Sequence, residues 1–98
     1  MARILVVEDE LGIALGLEDA LKLEGHEVEV IADGETATCR LRHEEFDLIL
    51  LDVMLPRKTG FDVCRELRHA GLMTPVVLLT ARGLEQDRIL GLDLGAND

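Results

Sequence analysis

The segment Leu48-Ile49-Leu50-Leu51-Asp52 decides the fold class, because four consecutive apolar residues of strand length end in a single acid. A strand that is apolar at every position is expected where helices cover both faces of a parallel sheet. Three similar segments occur along the chain, and the four predicted strands are Ile4 to Val7, Val28 to Ile31, Leu48 to Leu51 and Val76 to Leu79. The chain therefore contains the strands of a small sheet.

Stretches with hydrophobic residues at helical spacing separate these strands. In the first stretch, one arc of a helix carries Ile13, Ala14, Leu17, Ala20 and Leu21, and Gly25 follows as a stop signal. Further helices are predicted from Glu35 to Glu44, from Phe61 to Ala70 and from Leu84 to Leu94. The alternation of strands and helices predicts an α/β domain with a parallel sheet.

The composition of the strands predicts their order in the sheet. The segment Glu27-Val28-Glu29-Val30-Ile31 partly alternates, which is typical of a strand with one wetter side, so the second strand belongs at an edge. Right-handed crossovers then favour the order 2-1-3-4, with a ligand-binding crevice between strands 1 and 3.

The fourth strand presents a difficulty, because an apolar strand with an open edge templates aggregation. We therefore expect a fifth strand and a last helix beyond Asp98, or a second copy that pairs or swaps through strand 4 and helix 4. On this interpretation residues 1–98 are one domain that is incomplete at its C-terminal end.

Composition excludes several classes of function. The 98 residues are 48% hydrophobic and 31% charged, as in soluble globular proteins. A net charge of -10 disfavours direct contact with nucleic acid or anionic lipid. The apolar runs are too short to span a membrane and no signal-peptide pattern occurs, so we expect a cytoplasmic protein. Cys39 and Cys64 are expected to be reduced thiols without a function.

Acidic residues follow the first and third strands, at Glu8-Asp9-Glu10 and Asp52. Parallel topology brings both strand ends to the carboxyl edge of the sheet, beside the crevice. Two carboxylates about 4 Å apart repel by roughly 4 kcal/mol at an effective dielectric constant near 20, so a cation is expected between them. A sparse, partly open oxygen cluster suits Mg²⁺. Glu10 is expected only to cap the following helix.

Thr80 follows the fourth strand at the same edge of the sheet. Its hydroxyl serves either as an ordinary loop or capping group or as a donor to an anion placed on Asp52.

Taken together, these motifs resemble the receiver domain of bacterial two-component response regulators. The motifs are Glu8-Asp9, Asp52 with Met54-Leu55-Pro56 and Gly60, Thr80-Ala81, and Gly91-Leu92 with Gly95-Ala96-Asn97-Asp98. The flanks of the fourth helix resemble regulators that carry a winged-helix DNA-binding domain. The resemblance implies a flavodoxin-like fold and a cytoplasmic switch, not an enzyme, that acts in transcription regulation.

The resemblance also implies a role for each site residue. Asp52 would accept a phosphoryl group from a sensor histidine kinase. Mg²⁺ would be held by Asp9 and Asp52, by Glu8 mainly through water, and by the Met54 backbone carbonyl. Thr80 would be the switch hydroxyl that follows the phosphoryl oxygen, and the output domain would be the downstream partner.

The sequence departs from the family in two respects, since it lacks both the lysine at the end of strand 5 and the aromatic switch residue within that strand. The family's lysine at the end of strand 5 is absent, so we expect Mg²⁺ to bind while phosphorylation is slow or undetectable. Arg57 and Lys58 are interpreted as solvated loop cations. An alternative function is a receiver-like module that acts through protein contacts without phosphorylation. A phosphohydrolase or a nucleotide hydrolase is disfavoured, since the sequence lacks their motifs.

Overall fold

A computed structural model describes residues 1–79 and the backbone of residues 89–92. The described elements are β1 (Arg3–Val7), α1 (Leu11–Leu23), β2 (Glu27–Ile31), α2 (Gly34–His43), β3 (Leu48–Asp52), α3 (Gly60–His69), β4 (Val76–Leu79) and β5 (Ile89–Leu92). The first four strands lie parallel in the order β2-β1-β3-β4, with β2 at an edge. This confirms the predicted order and the α/β fold class.

Sequence signals at the helix ends account for where the helices start. The side chain of Asp33 accepts a hydrogen bond from the Thr36 backbone N–H and begins α2. Thr59 and Asp62 form a reciprocal capping box at the start of α3. Helices α2 and α3 begin at Gly34 and Gly60, each one residue before its predicted start. The capping side chains lie before the first apolar residue of each helix, on which the predicted start was based.

The main core lies between the sheet and helices α2 and α3. It is made of buried residues that alternate along the strands and recur on one face of each of these helices, for example Leu5, Val7, Ile49, Leu51, Leu41, Val63 and Leu67. On the other side of the sheet, Ala14 of α1 is buried, and so are Ile4 and Val6. Leu50 and Val77 are only half-buried, because α1 is the described helix on that side and packs along β1 and β2.

The structure corrects the prediction of a helix from Leu84 to Leu94. Residues Ile89–Leu92 form β5, which pairs antiparallel with β4 and continues the sheet. The backbone N–H and C=O groups along the β4 edge favour a strand beside it, and Gly91 weakens a helix at this point. The expected open edge of β4 is therefore paired within the chain, so the premise for a swapped assembly through β4 does not hold.

The structure contains no helix, among the residues it describes, that is long and apolar enough to cross a membrane. The longest described helix, α1, has 13 residues and carries several charged side chains.

The loop between β3 and α3 contains a residue in a strained backbone conformation. Arg57 has φ 70°, in the left-handed region that favours glycine. We expect Arg57→Gly to raise the free energy of unfolding by about 1 kcal/mol, because an L side chain in this region costs about that much. The ion pair lost with Arg57 lies at 3.9 Å from Glu35, is well exposed, and contributes little.

Urea unfolding followed by far-UV circular dichroism measures this effect. Arg42→Gly is the matched control, since Arg42 is an exposed residue inside α2 and glycine there lowers stability. Equal losses of stability in the two variants would contradict the assignment of strain to Arg57.

Candidate metal centre

The registers of β1 and β3 bring two acids together at the carboxyl edge of the sheet. Val7 is paired with Leu51, so the residues that follow, Glu8 and Asp52, are adjacent in parallel strands. The backbone N–H of Glu8 still bonds to the carbonyl of Ile31 on β2 at 3.0 Å, which holds Glu8 to the sheet beyond the end of β1. The sheet therefore fixes the backbone of both acids.

Carboxylate oxygens of Glu8, Asp9 and Asp52 all lie within 4.8 Å of one another. Glu8 is 3% exposed and Asp52 is 1% exposed, whereas Asp9 faces solvent. The ion pairs observed among residues 1–79 all involve other carboxylates. The cluster is thus a partly open group of three acids, two of them nearly inaccessible to water.

Backbone N–H groups orient the two buried carboxylates. Glu8 Oε2 accepts the N–H of Glu10 at 3.0 Å, and Asp52 Oδ1 accepts the N–H of Met54 at 3.3 Å. Each donor lies two residues after its acceptor, a local pattern common for acidic side chains at the start of a loop. These donors were not predicted from the sequence, although the two-residue spacing is a signal that could have indicated them.

Burial dominates the electrostatics of the cluster. The pKa of Glu8 is raised to about 7, mainly by burial and also by the nearby Asp52 carboxylate, against the lowering effect of the Glu10 N–H. Burial also raises the pKa of Asp52, against the lowering effect of the Met54 N–H. Loss of solvation is thus a larger cause of these pKa shifts than charge repulsion between the acids.

The structure brings together Glu8, Asp9 and Asp52, three of the predicted metal ligands. The backbone of Met54 contacts Asp52, while the Met54 side chain is exposed. Glu10 occupies the N-cap position of α1, but its side chain makes no capping hydrogen bond. Glu10 is thus at the amino end of α1 as predicted, although its side chain does not bond to the helix and its backbone N–H is bonded to Glu8.

Other residues singled out in the sequence lie away from the cluster or outside the described part. The Lys58 ammonium pairs with Glu66 on α3, and the Arg57 guanidinium lies near Glu35 on α2. Thr80 and Ala81, and the Gly95 to Asp98 motif, are outside the described residues. Gly60, in contrast, packs directly against the carbonyl of Asp52.

Three oxygen donors of this type fit Mg²⁺. Mg²⁺ needs only one or two carboxylates and keeps several waters, which the exposed side of Asp9 permits. Two buried carboxylates whose pKa values are raised are anions that lack compensation, and a divalent cation supplies it. Histidine and cysteine ligands, which Zn²⁺ prefers, are not part of the cluster.

Comparison with known proteins gives consistent matches. The family model of the response regulator receiver domain matches residues 4–98. The response regulator protein PmrA of Pseudomonas aeruginosa is 52% identical over 96 residues, which cover 98% of this chain and 43% of PmrA. The chain thus spans about two fifths of the length of this curated relative.

Two solved structures are similar in fold. The response regulator TrrA of Thermotoga maritima, solved in complex with Mg²⁺-BeF, has a TM-score of 0.78 and 37% identity, covering 83% of this chain and 70% of that chain. The receiver domain of a sensor histidine kinase from Pseudomonas aeruginosa, with a magnesium ion in its active-site cleft, has a TM-score of 0.78 and 34% identity, covering 88% and 72%. This chain belongs to the response regulator receiver domain family.

Proposed function

We propose that Asp52 accepts a phosphoryl group from a phosphohistidine on a sensor histidine kinase, with Mg²⁺ bound beside it. The observation that supports this most is the approach of three carboxylate oxygens, from Glu8, Asp9 and Asp52, to within 4.8 Å at the carboxyl edge of the sheet. TrrA and the kinase receiver domain, two structural neighbours, hold Mg²⁺. Glu8, Asp9, Asp52 and the Met54 carbonyl are the proposed ligands here.

The residues of the site divide the chemistry between them. An Asp52 carboxylate oxygen attacks the phosphorus, the phosphorus–nitrogen bond to histidine breaks, and the nitrogen keeps the electron pair. The Met54 N–H, bonded to the Asp52 Oδ1 atom, orients the carboxylate for an in-line approach. Bound Mg²⁺ supplies charge compensation between the carboxylate and the incoming phosphoryl group.

The phosphorylated domain would then act on partners. We propose that the Thr80 hydroxyl donates a hydrogen bond to a phosphoryl oxygen, and that the resulting movement of Thr80 controls a downstream output domain in the cytoplasm. The curated relative PhoP of Bacillus subtilis is a transcriptional regulatory protein, 47% identical over 96 residues, of which this chain covers 40%. A DNA-binding output domain, of the winged-helix type, is accordingly the proposed partner.

Titration with Mg²⁺ tests the metal site. Wild type is expected to bind one Mg²⁺, and Asp9→Ala and Asp52→Ala are each expected to weaken binding at least tenfold, since each removes a charged ligand. Isothermal titration calorimetry measures the affinity. Asp19→Ala, at an exposed acid on α1, is the control and should bind as wild type does.

Mass spectrometry after incubation with a small phosphodonor tests the acceptor. Any adduct should map to Asp52, whose carboxylate lies in the cluster with Glu8 and Asp9. An adduct on another residue, or unchanged Mg²⁺ affinity in Asp52→Ala, would contradict the proposal.

A further inference from the structure

Lys58 lies in the loop that follows Asp52 and ties this loop to helix α3. The Lys58 Nζ atom lies 2.8 Å from Glu66 Oε1 on α3, and the side chain of Lys58 is only 21% exposed. The Glu66 side chain is 39% exposed, so the pair is half-buried and is less screened than an ion pair in open water. Lys58 is therefore a fixed loop residue, which corrects its interpretation as a solvated cation.

Helix α2 contacts the same residue from the other side. A Cβ atom on Gly34 would lie 3.1 Å from the Lys58 Cβ atom and 2.9 Å from the Val63 Cγ2 atom. The absence of a side chain at Gly34 thus lets the start of α2 approach Lys58 and α3 closely. The middle of the loop is enclosed between two helices.

The two ends of the loop are hydrogen-bonded to Asp52 and to the residue that follows it. At the first end, the Met54 N–H bonds to the Asp52 Oδ1 atom. At the second end, the Gly60 N–H bonds to the Val53 carbonyl at 2.8 Å. A shift of the loop near Lys58 would therefore move the Met54 backbone relative to Asp52.

We propose that Lys58 and Glu66 form a positioning pair that sets the Met54 backbone for Mg²⁺ binding at the site proposed above. Neither residue touches the ion. The pair holds the loop in the position in which the Met54 N–H bonds to Asp52 Oδ1 and from which the Met54 carbonyl would serve as a ligand. This inference rests on the proposed metal site and adds two residues outside it.

The direction in which two single substitutions change the Mg²⁺ affinity distinguishes a positioning role from a simple charge effect. Lys58→Met removes a positive charge, so a charge effect alone would strengthen Mg²⁺ binding. Glu66→Gln removes a negative charge, so the same effect would weaken it. A positioning pair predicts weaker binding in both variants, because either change releases the loop.

The experiment measures Mg²⁺ affinity by calorimetry and stability by urea unfolding in the same variants. Lys58→Met and Glu66→Gln are each expected to weaken Mg²⁺ binding about threefold to tenfold. The double variant should bind Mg²⁺ no more weakly than the single variant that has the lower affinity. The exchange Lys58→Glu with Glu66→Lys re-forms the pair and should restore affinity to within about twofold. Lys22→Met, which breaks the Lys22–Glu18 pair on α1, is the control and should not change the affinity.

Four outcomes are decisive. Stronger binding in Lys58→Met with weaker binding in Glu66→Gln would show a charge effect and overturn the inference. Wild-type affinity in both variants would also overturn it. Weaker binding without rescue by the exchanged pair would also overturn it. Failure of the wild type to bind Mg²⁺ would instead refute the metal site itself, and the inference with it.

Discussion

Replacement of Gly60 by alanine is expected to lower the free energy of unfolding by about 3 kcal/mol. A Cβ atom at this position would lie 2.5 Å from the Asp52 carbonyl oxygen and 3.0 Å from the Val53 Cα atom. Both are backbone atoms, so no side-chain rotation can relieve the contact. The backbone of Asp52 is also paired with β4 opposite Leu79, which limits its ability to move aside.

The same substitution is expected to disturb the metal site. Moving α3 away from β3 strains the Gly60 N–H bond to the Val53 carbonyl, and Val53 lies between Asp52 and Met54. We therefore expect Mg²⁺ binding to weaken by at least tenfold in Gly60→Ala, even where the variant remains folded.

Urea unfolding followed by far-UV circular dichroism is the suitable measurement, because the chain has no Trp and no Tyr for fluorescence. Gly16→Ala is the matched control, since a Cβ atom at Gly16 in α1 meets nothing within 4 Å and alanine favours a helix. It should gain up to about 1 kcal/mol. Stability of Gly60→Ala within about 0.5 kcal/mol of wild type would contradict the steric argument.

The strands and their order were predictable because each depends on a short local pattern. An unbroken apolar run such as Val76–Leu79 is suited to the interior of a parallel sheet, and the alternating Glu27–Ile31 run to an edge. The meeting of Asp9 and Asp52 followed from topology alone, since carboxyl ends of parallel strands share one edge. Local pattern and chain connectivity together were sufficient for these features.

Features that depend on neighbours distant in sequence were not predictable. Ile89–Leu92 contains helix-forming residues, and its pairing with β4 is decided by the strand beside it. The burial of Glu8 beside an exposed Asp9 depends on which face of the sheet edge each one occupies. The partner of Lys58 lies eight residues away on α3, at a spacing that has no short-range signature.

Glu8 is expected to make the metal-free protein less stable as the pH rises. Its pKa is 4.5 in an unfolded chain and about 7 in the folded protein, so the folded state binds more protons between these values. The contribution of Glu8 to stability is therefore greatest below about pH 4.5. It falls between pH 4.5 and 7 and stays low above pH 7. The raised pKa of Asp52 acts in the same direction.

Glu8→Gln should remove this decline. A pKa change from 4.5 to about 7 corresponds to roughly 3 kcal/mol at about 1.4 kcal/mol for each pH unit, and Asp52 shares part of it. We expect Glu8→Gln to be about 2 kcal/mol more stable than wild type at pH 8 without metal, and equal to it near pH 4. The glutamine side-chain oxygen can still accept the Glu10 N–H, so the local hydrogen bond is retained.

Two comparisons complete the test by urea unfolding across this pH range. Glu10→Gln, next to the cluster but exposed, should follow the wild-type pH profile, because its charge is already solvated. Saturating Mg²⁺ should raise the stability of wild type at pH 8 more than that of Glu8→Gln, since the cation binds the ionised carboxylates and offsets their repulsion. A wild-type profile that rises from pH 4.5 to 7 and a Glu8→Gln profile parallel to it would show that the buried carboxylate is not the source of the pH dependence.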